Sequence, residues 1–365
     1  MKHEITSLLQ DLISFESTAG HLQLLACADF IAQYFQDTDL IVKRYEKNGV
    51  PSIVILTEDT LSPDIMMQGH FDVVVGGNTH YQANVEGDYL YGPGALDMKG
   101  SVAAMMVSIK KITQNNPQKS IGLMLNGDEE SGGCNSAKYL VEDIGYTTKL
   151  LINLDGGYSE TISYAEKGIM RLELIAREGA HTPVNMPWLG GNAIDTLIDS
   201  YTKLREFLSD KHKATDENNW YTTYNSWELD AHKFQSRTPH TATLKMSLHF
   251  VEDLKVQEYL TKIQEIIPEV EVKLIMGAER VFIEKTNPTL QKFKSVMEGV
   301  LDREVTLVKE NGSSDARFFT HMNIPIIITR PAGDDAEGIN ERVSLTSLEK
   351  IAQTLMSFMQ NASEN

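Results

Sequence analysis

Three short apolar runs of this 365-residue sequence each end in side chains able to bind a cation or move a proton. Ile65-Met-Met-Gln-Gly-His70 continues into Phe71-Asp72, Ile121-Gly-Leu-Met-Leu-Asn126 into Gly-Asp128-Glu129-Glu130-Ser-Gly-Gly133, and Leu150-Leu-Ile-Asn-Leu154 into Asp155-Gly-Gly157. If the chain stays extended past His70, Asp72 points to the same side as the imidazole and can orient it, as a carboxylate does for a metal-bound histidine. If Glu129 and Glu130 are extended, their side chains point apart, so that one can bind a cation while the other meets the substrate's water. Asp97 follows a Gly-rich turn, Tyr91-Gly-Pro-Gly-Ala-Leu, and precedes an apolar helix. A carboxylate fixed there has two oxygens and could bridge two ions about 3.5–4 Å apart. Taken singly, each pattern has a plain alternative: His-x-Asp also serves as a surface hydrogen bond, and Asp-Glu-Glu as a solvated turn.

What must position these groups is an α/β sheet. Ser52–Thr57 and the three runs above read as strands, with helical patterns over 100–114 and 135–143 between them and two amphipathic helices before residue 32. Apolar strands alternating with helices imply a sheet covered on both faces, and ligands gather beyond the carboxyl ends of such strands. After Asp155 the pattern changes. Met170–Ala176 and Ala242–Phe250 read as strands, Ala193–Leu208 and 253–266 as helices, and the segment holding Trp220 and Trp227 as a polar stretch. The sequence therefore predicts an α/β catalytic domain with a mixed sheet over 1–165 and 281–365, interrupted by an α+β sandwich over 166–280.

The balance of 33 Lys and Arg against 51 Asp and Glu gives a formal charge of −18, which disfavours nucleic acid or an anionic membrane as partner. Two cysteines, Cys27 and Cys134, supply neither a disulfide scaffold nor a thiolate zinc site, and both read as buried small residues. No basic region with a following apolar stretch opens the chain, and no run of about 18 apolar residues appears. The expectation is a soluble, cytoplasmic protein.

Taken together, Gly69-His70-x-Asp72, Gly92-x-Gly-x-x-Asp97-x-Lys-Gly100, Asp128-Glu-Glu130 with Gly132-Gly133, and Asp155 stand in one order. In that order the chain resembles, over nearly its whole length, the di-zinc deacylase and exopeptidase family of acetylornithine deacetylase, succinyl-diaminopimelate desuccinylase, aminoacylase and carboxypeptidase G. The resemblance implies two divalent ions, zinc foremost. His70 and Asp155 would bind the first, Asp97 would bridge, Glu130 would bind the second, Glu129 would be the general base and Asp72 would support His70. It also implies a cis peptide between Asp97 and Met98, and a homodimer formed through the inserted lid domain. There His181 would reach a neighbouring subunit's site and steady the oxyanion, in a segment that includes Asn192. Gly312-Ser313-Ser-Asp315-Ala-Arg317 matches a loop near the family's active site, so Asn192, Gly312 and Ser313 are candidate substrate contacts.

Two positions depart from the family. Where its last ligand is a histidine, three residues before Asn340, this chain has Glu337. Two divalent ions are balanced by Asp97, Glu130, Asp155 and a bridging hydroxide, so Glu337 would make the site −1. The extra carboxylate favours Mn, Co or Mg over zinc at a weaker second position. Alternatively Glu337 is a solvated loop acid, the second position is incomplete, or Asp334 or Asp335 shifts in. In the strand ending at Phe250, His249 replaces an arginine that would fork onto a carboxylate, leaving Arg330 as a substitute. The reading is a hydrolase of N-acyl amino acids using a metal-activated water. A dipeptidase is the alternative enzyme, and a catalytically silent ligand-binding homologue the alternative of another class.

Overall fold

The computed structural model describes residues 1–75, 80–113, 120–179, 183, 185–209, 220–231 and 236–361. They form two compact units: Met1–Ala165 with Phe282–Glu310 and Ser314–Asn365, and Glu166–Val281 with Asn311–Ser313.

The first unit is built on a mixed sheet. From one edge its strands run Ile41–Lys47, Val50–Leu56, Ile121–Asn126, Ile65–His70, Leu150–Asn153, Ile326–Thr329 and Ile162–Glu166. The four strands Ile121–Asn126, Ile65–His70, Leu150–Asn153 and Ile326–Thr329 are mutually parallel, so their carboxyl ends emerge on one side. Ile65–His70 and Ile121–Asn126 are buried at every position, as central strands covered on both faces must be. Helices Lys2–Ile13, Lys99–Thr113 and Leu345–Asn361 pack on one another, and Lys99–Ile109 is buried throughout because the helix is enclosed on all sides.

A small antiparallel sheet does what the sequence did not reveal. Asn84–Glu86, Tyr89–Tyr91, Arg342–Ser344 and Gly333–Asp334 pair in that order, with Arg342 opposite Tyr91. This pairing carries the segment 335–341 alongside the Asp97 turn.

The second unit is an antiparallel sheet ordered Thr223–Ala231, Thr241–Phe250, Gly168–Arg177, Glu271–Ala278, with helices Ala193–Ser209 and Val256–Ile266 packed on it. In Thr241–Phe250 the alternate residues Ala242, Leu244, Met246, Leu248 and Phe250 are buried against the helices. The polar stretch containing Trp227, for which the sequence predicts no element, forms the edge strand Thr223–Ala231. It carries few apolar side chains on a repeating face, and backbone pairing with Thr241–Phe250 stabilises it. Cys27 is buried as expected, but Cys134 is exposed, because it lies in the loop after Gly133 and off the sheet. No helix among the described residues is long and apolar enough to cross a membrane.

Candidate functional site

At the carboxyl ends of the parallel strands, His70, Asp97 and Asp155 each offer one ligand atom, all within 4.8 Å of one another. His70 Nε2 stands 3.1 Å from Asp97 Oδ1 and 3.8 Å from Asp155 Oδ2. The opposite ring nitrogen, Nδ1, faces Asp72, 3.1 Å from its carbonyl oxygen and 3.4 Å from Oδ1. The strand ends at His70, so Asp72 reaches the ring from the turn beyond it and not from an extended continuation. Burial opposes charging His70, but hydrogen bonds to Asp72 and Asp97 and the charge of Asp155 outweigh it and raise its pKa well above the ordinary value. Burial likewise opposes ionising Asp97, yet its hydrogen bond with His70 and the charges of His70 and Arg330 hold its carboxyl below the usual range.

The Asp97 turn is held from below. Glu341, 2 % exposed, accepts the backbone N–H groups of Gly94 at 2.8 Å, Leu96 at 2.9 Å and Asp97 at 2.8 Å. The peptide between Asp97 and Met98 is cis. Asp97, Glu130, Glu337 and Glu341 line one small hollow with Val73, Val74, Pro93 and Gly94. Glu337 enters it from a tight turn in which Asp335 and Glu337 both have positive φ, 57° and 61°, a region non-glycine residues uncommonly occupy. Burial pushes the Glu130 carboxyl up to about 9, and the charges of Asp97, Glu129 and Asp72 add to it against that of His70. Burial, Asp97 and Glu129 raise Glu337 in the same direction.

Glu129 and Glu130 sit in a single 3-10 turn, Glu129–Ser131, in place of the extended backbone expected. Glu130 faces the hollow. The Glu129 carboxylate accepts a hydrogen bond from Arg317 Nη1 at 3.1 Å. The turn is fixed by Asp72, whose Oδ1 accepts the Glu129 N–H at 3.2 Å and whose Oδ2 accepts the Glu130 N–H at 3.1 Å.

The structure thus brings together His70, Asp72, Asp97, Glu129, Glu130, Asp155 and Glu337 in the first unit. Arg330 is close enough for its charge to act on Asp97, and its Nε is buried with no hydrogen-bond partner among the described residues. Gly312 and Ser313 belong to the second unit, as does Asn192, whose side chain accepts the Ile194 N–H at 3.1 Å at the start of its helix. His249 lies in the strand Thr241–Phe250 of that unit, and His181 lies outside the described residues. Sequence reasoning assigned no role to Glu341, Asp315 or Arg317. The available signal was their company: two acids and an arginine directly beside Gly312-Ser-Ser and Asn340.

A divalent cation fits this donor set. An imidazole nitrogen facing two carboxylates, with Glu130 Oε1 buried and hydrogen-bonded to no described residue, is the N and O chemistry that zinc and its first-row neighbours take.

Comparison with known proteins agrees. The model of peptidase family M20/M25/M40 matches residues 66–361. Succinyl-diaminopimelate desuccinylase of Rickettsia bellii is 24% identical, covering 97% of this chain and 95% of the relative. Among solved structures, an M20 family metallo-carboxypeptidase from Sulfolobus solfataricus superposes with a TM-score of 0.78 at 17% identity, covering 99% of each chain. A tripeptidase from Staphylococcus aureus gives 0.79 at 17% identity, covering 100% of this chain and 99% of that one.

Proposed function

Because this chain belongs to peptidase family M20/M25/M40, and is on that ground a hydrolase of amide or peptide bonds, we propose that it cleaves the amide bond of N-acyl amino acids. The observation that carries the reading is the convergence of His70, Asp97 and Asp155 at the strand ends, with Glu129 in the turn fixed by Asp72, the residue that contacts His70. His70, Asp97 and Asp155 would hold one ion, and Asp97, Glu130 and Glu337 a second. When bound, such ions lower the pKa of water and polarise a carbonyl. Glu129 takes the proton of the attacking water and returns it to the leaving amine, giving a carboxylate and a free amino group. Zinc suits the His70 position, whereas the carboxylate-only second set favours Mn, Co or Mg and weaker binding.

Arg330 is assigned to the substrate's carboxylate, since its charge is within reach of Asp97 and the family's lid arginine is His249 here. Asn192, Gly312 and Ser313 are further substrate contacts in this reading. His181 steadies the oxyanion from a partner subunit of a homodimer joined through the second unit, and the protein acts in the cytoplasm. The catalytically silent alternative finds no support in a site that retains Glu129 together with the groups that hold it.

The test is amine release by the Zn- and Mn-loaded protein from a panel of N-acetyl and N-succinyl amino acids and dipeptides. Turnover of the acylated compounds is expected. Turnover of dipeptides alone would overturn the acyl reading in favour of an exopeptidase, a reading that the tripeptidase-like fold keeps in play.

A further inference from the structure

Arg317 is 4 % exposed, and its guanidinium spans two carboxylates: Nη1 lies 3.1 Å from Glu129 Oε1 and Nη2 lies 3.1 Å from Asp315 Oδ1. Burying a guanidinium is costly unless its charge is paired, and here it faces two carboxylates. Asp315 is fully buried, and its other oxygen accepts amide N–H groups from Asn126 at 3.2 Å and Gln68 at 3.5 Å. Full burial raises the Asp315 pKa, and Arg317 opposes that. Asp315 therefore meets Arg317 through Oδ1 as an ion pair and the two amides through Oδ2.

The amides come from informative places. Gln68 lies two residues before His70, and Asn126 ends the strand that leads to Glu129. Gln68 is in turn bonded by Asn153, two residues before Asp155. One buried carboxylate is therefore referenced to the ends of the strands that deliver His70, Glu129 and Asp155, and it passes that reference to Glu129 through a rigid planar fork.

Resting on the reading of Glu129 as base, we infer that Arg317, braced by Asp315, is a positioning residue that occupies one oxygen of Glu129 and presents the other to the reacting water. No described residue hydrogen-bonds Glu129 Oε2, which is the oxygen left to accept the proton. Asp72 fixes the backbone of Glu129 and Arg317 fixes its carboxylate, so the acceptor has little freedom left. A lysine could supply the charge but not the two-pronged geometry.

The test uses the metal-loaded full chain as wild type, Arg317→Met, Arg317→Lys and Glu129→Gln. Readouts are crystal structures, metal content, and kcat and KM on the panel member the wild type turns over best. Arg317→Met is expected to keep its metal and its KM, to show the Glu129 carboxylate displaced, and to lose about 100-fold in kcat, the usual cost of a misplaced reacting group. Added guanidinium ion should restore part of that loss in Arg317→Met and none in Glu129→Gln. Arg317→Lys should fall between, and if Arg317→Met does not fold, Arg317→Lys with wild-type kcat overturns the inference. A Glu129 carboxylate unmoved in Arg317→Met, with Glu129→Gln inactive, also overturns it while sparing the base. Normal turnover by Glu129→Gln overturns the base reading itself.

Discussion

The carboxylate of Asp72 accepts the backbone N–H of Glu129 at 3.2 Å while lying 3.4 Å from Nδ1 of His70. One buried residue thereby contacts the His70 ring, through its carbonyl oxygen at 3.1 Å as well as its carboxylate, and fixes the turn that carries Glu129. Asp72→Ala should weaken metal binding by about 10- to 100-fold, the usual cost of losing such an outer partner. Chelator competition on the purified variant measures this, and wild-type affinity would contradict the role.

Glu337 lines the hollow that the proposed reading gives to the second ion. Replacing it by histidine removes one negative charge from a hollow already holding Asp97 and Glu130. Glu337→His is therefore expected to raise zinc stoichiometry toward two per chain and to diminish any preference for Mn. If wild type already holds two zinc ions tightly, the weak second position is wrong.

Gly133 is required by packing as well as by conformation. Its φ is +67°, and a Cβ there would run into the Asp315 carboxylate and come within 2.9 Å of Phe318. Gly145 also has positive φ, +90°, but has nothing within 4 Å. Gly145→Ala should cost about 1–2 kcal/mol, the backbone penalty alone, and Gly133→Ala clearly more. Equal losses in urea denaturation would show that Asp315 does not constrain the loop.

Asp88 joins the amino terminus to the last helix, accepting Lys2 Nζ at 2.6 Å, Ser344 Oγ at 2.6 Å and the Thr346 N–H at 3.2 Å. Burial acts to raise its pKa, but these partners outweigh burial and lower it from 3.8 to about 2. Its contribution to stability is full above the unfolded value of 3.8 and is lost as pH falls toward 2, because the unfolded chain takes up the proton first. The stability gap between wild type and Asp88→Asn should thus shrink between pH 5 and pH 2. A gap constant over that range would refute the linkage.

The strands that build the site were legible because they are buried on both faces and so read as uninterrupted apolar runs, each stopping at a polar group. Ile65–His70 and Ile121–Asn126 fall where the sequence placed them. Less was legible where backbone pairing or distant polar contacts decide. The pairing of Arg342 with Tyr91, which sets Glu337 and Glu341 beside Asp97, involves strands of three residues with no periodicity to detect. The edge strand Thr223–Ala231 is mostly exposed, so its composition matches that of a connection. Arg317 stood next to a recognised motif, but nothing in local sequence says that its partner is 188 residues away.

The central claim, that Glu129 is the base at a metal site formed by His70, Asp97 and Asp155, is tested most directly by turnover of metal-loaded Glu129→Gln beside wild type on the same N-acyl amino acid. The variant should keep wild-type metal content and fold while kcat falls by at least about 10²–10⁴-fold, the contribution of a positioned general base. Near-normal kcat with the metal in place would contradict the account.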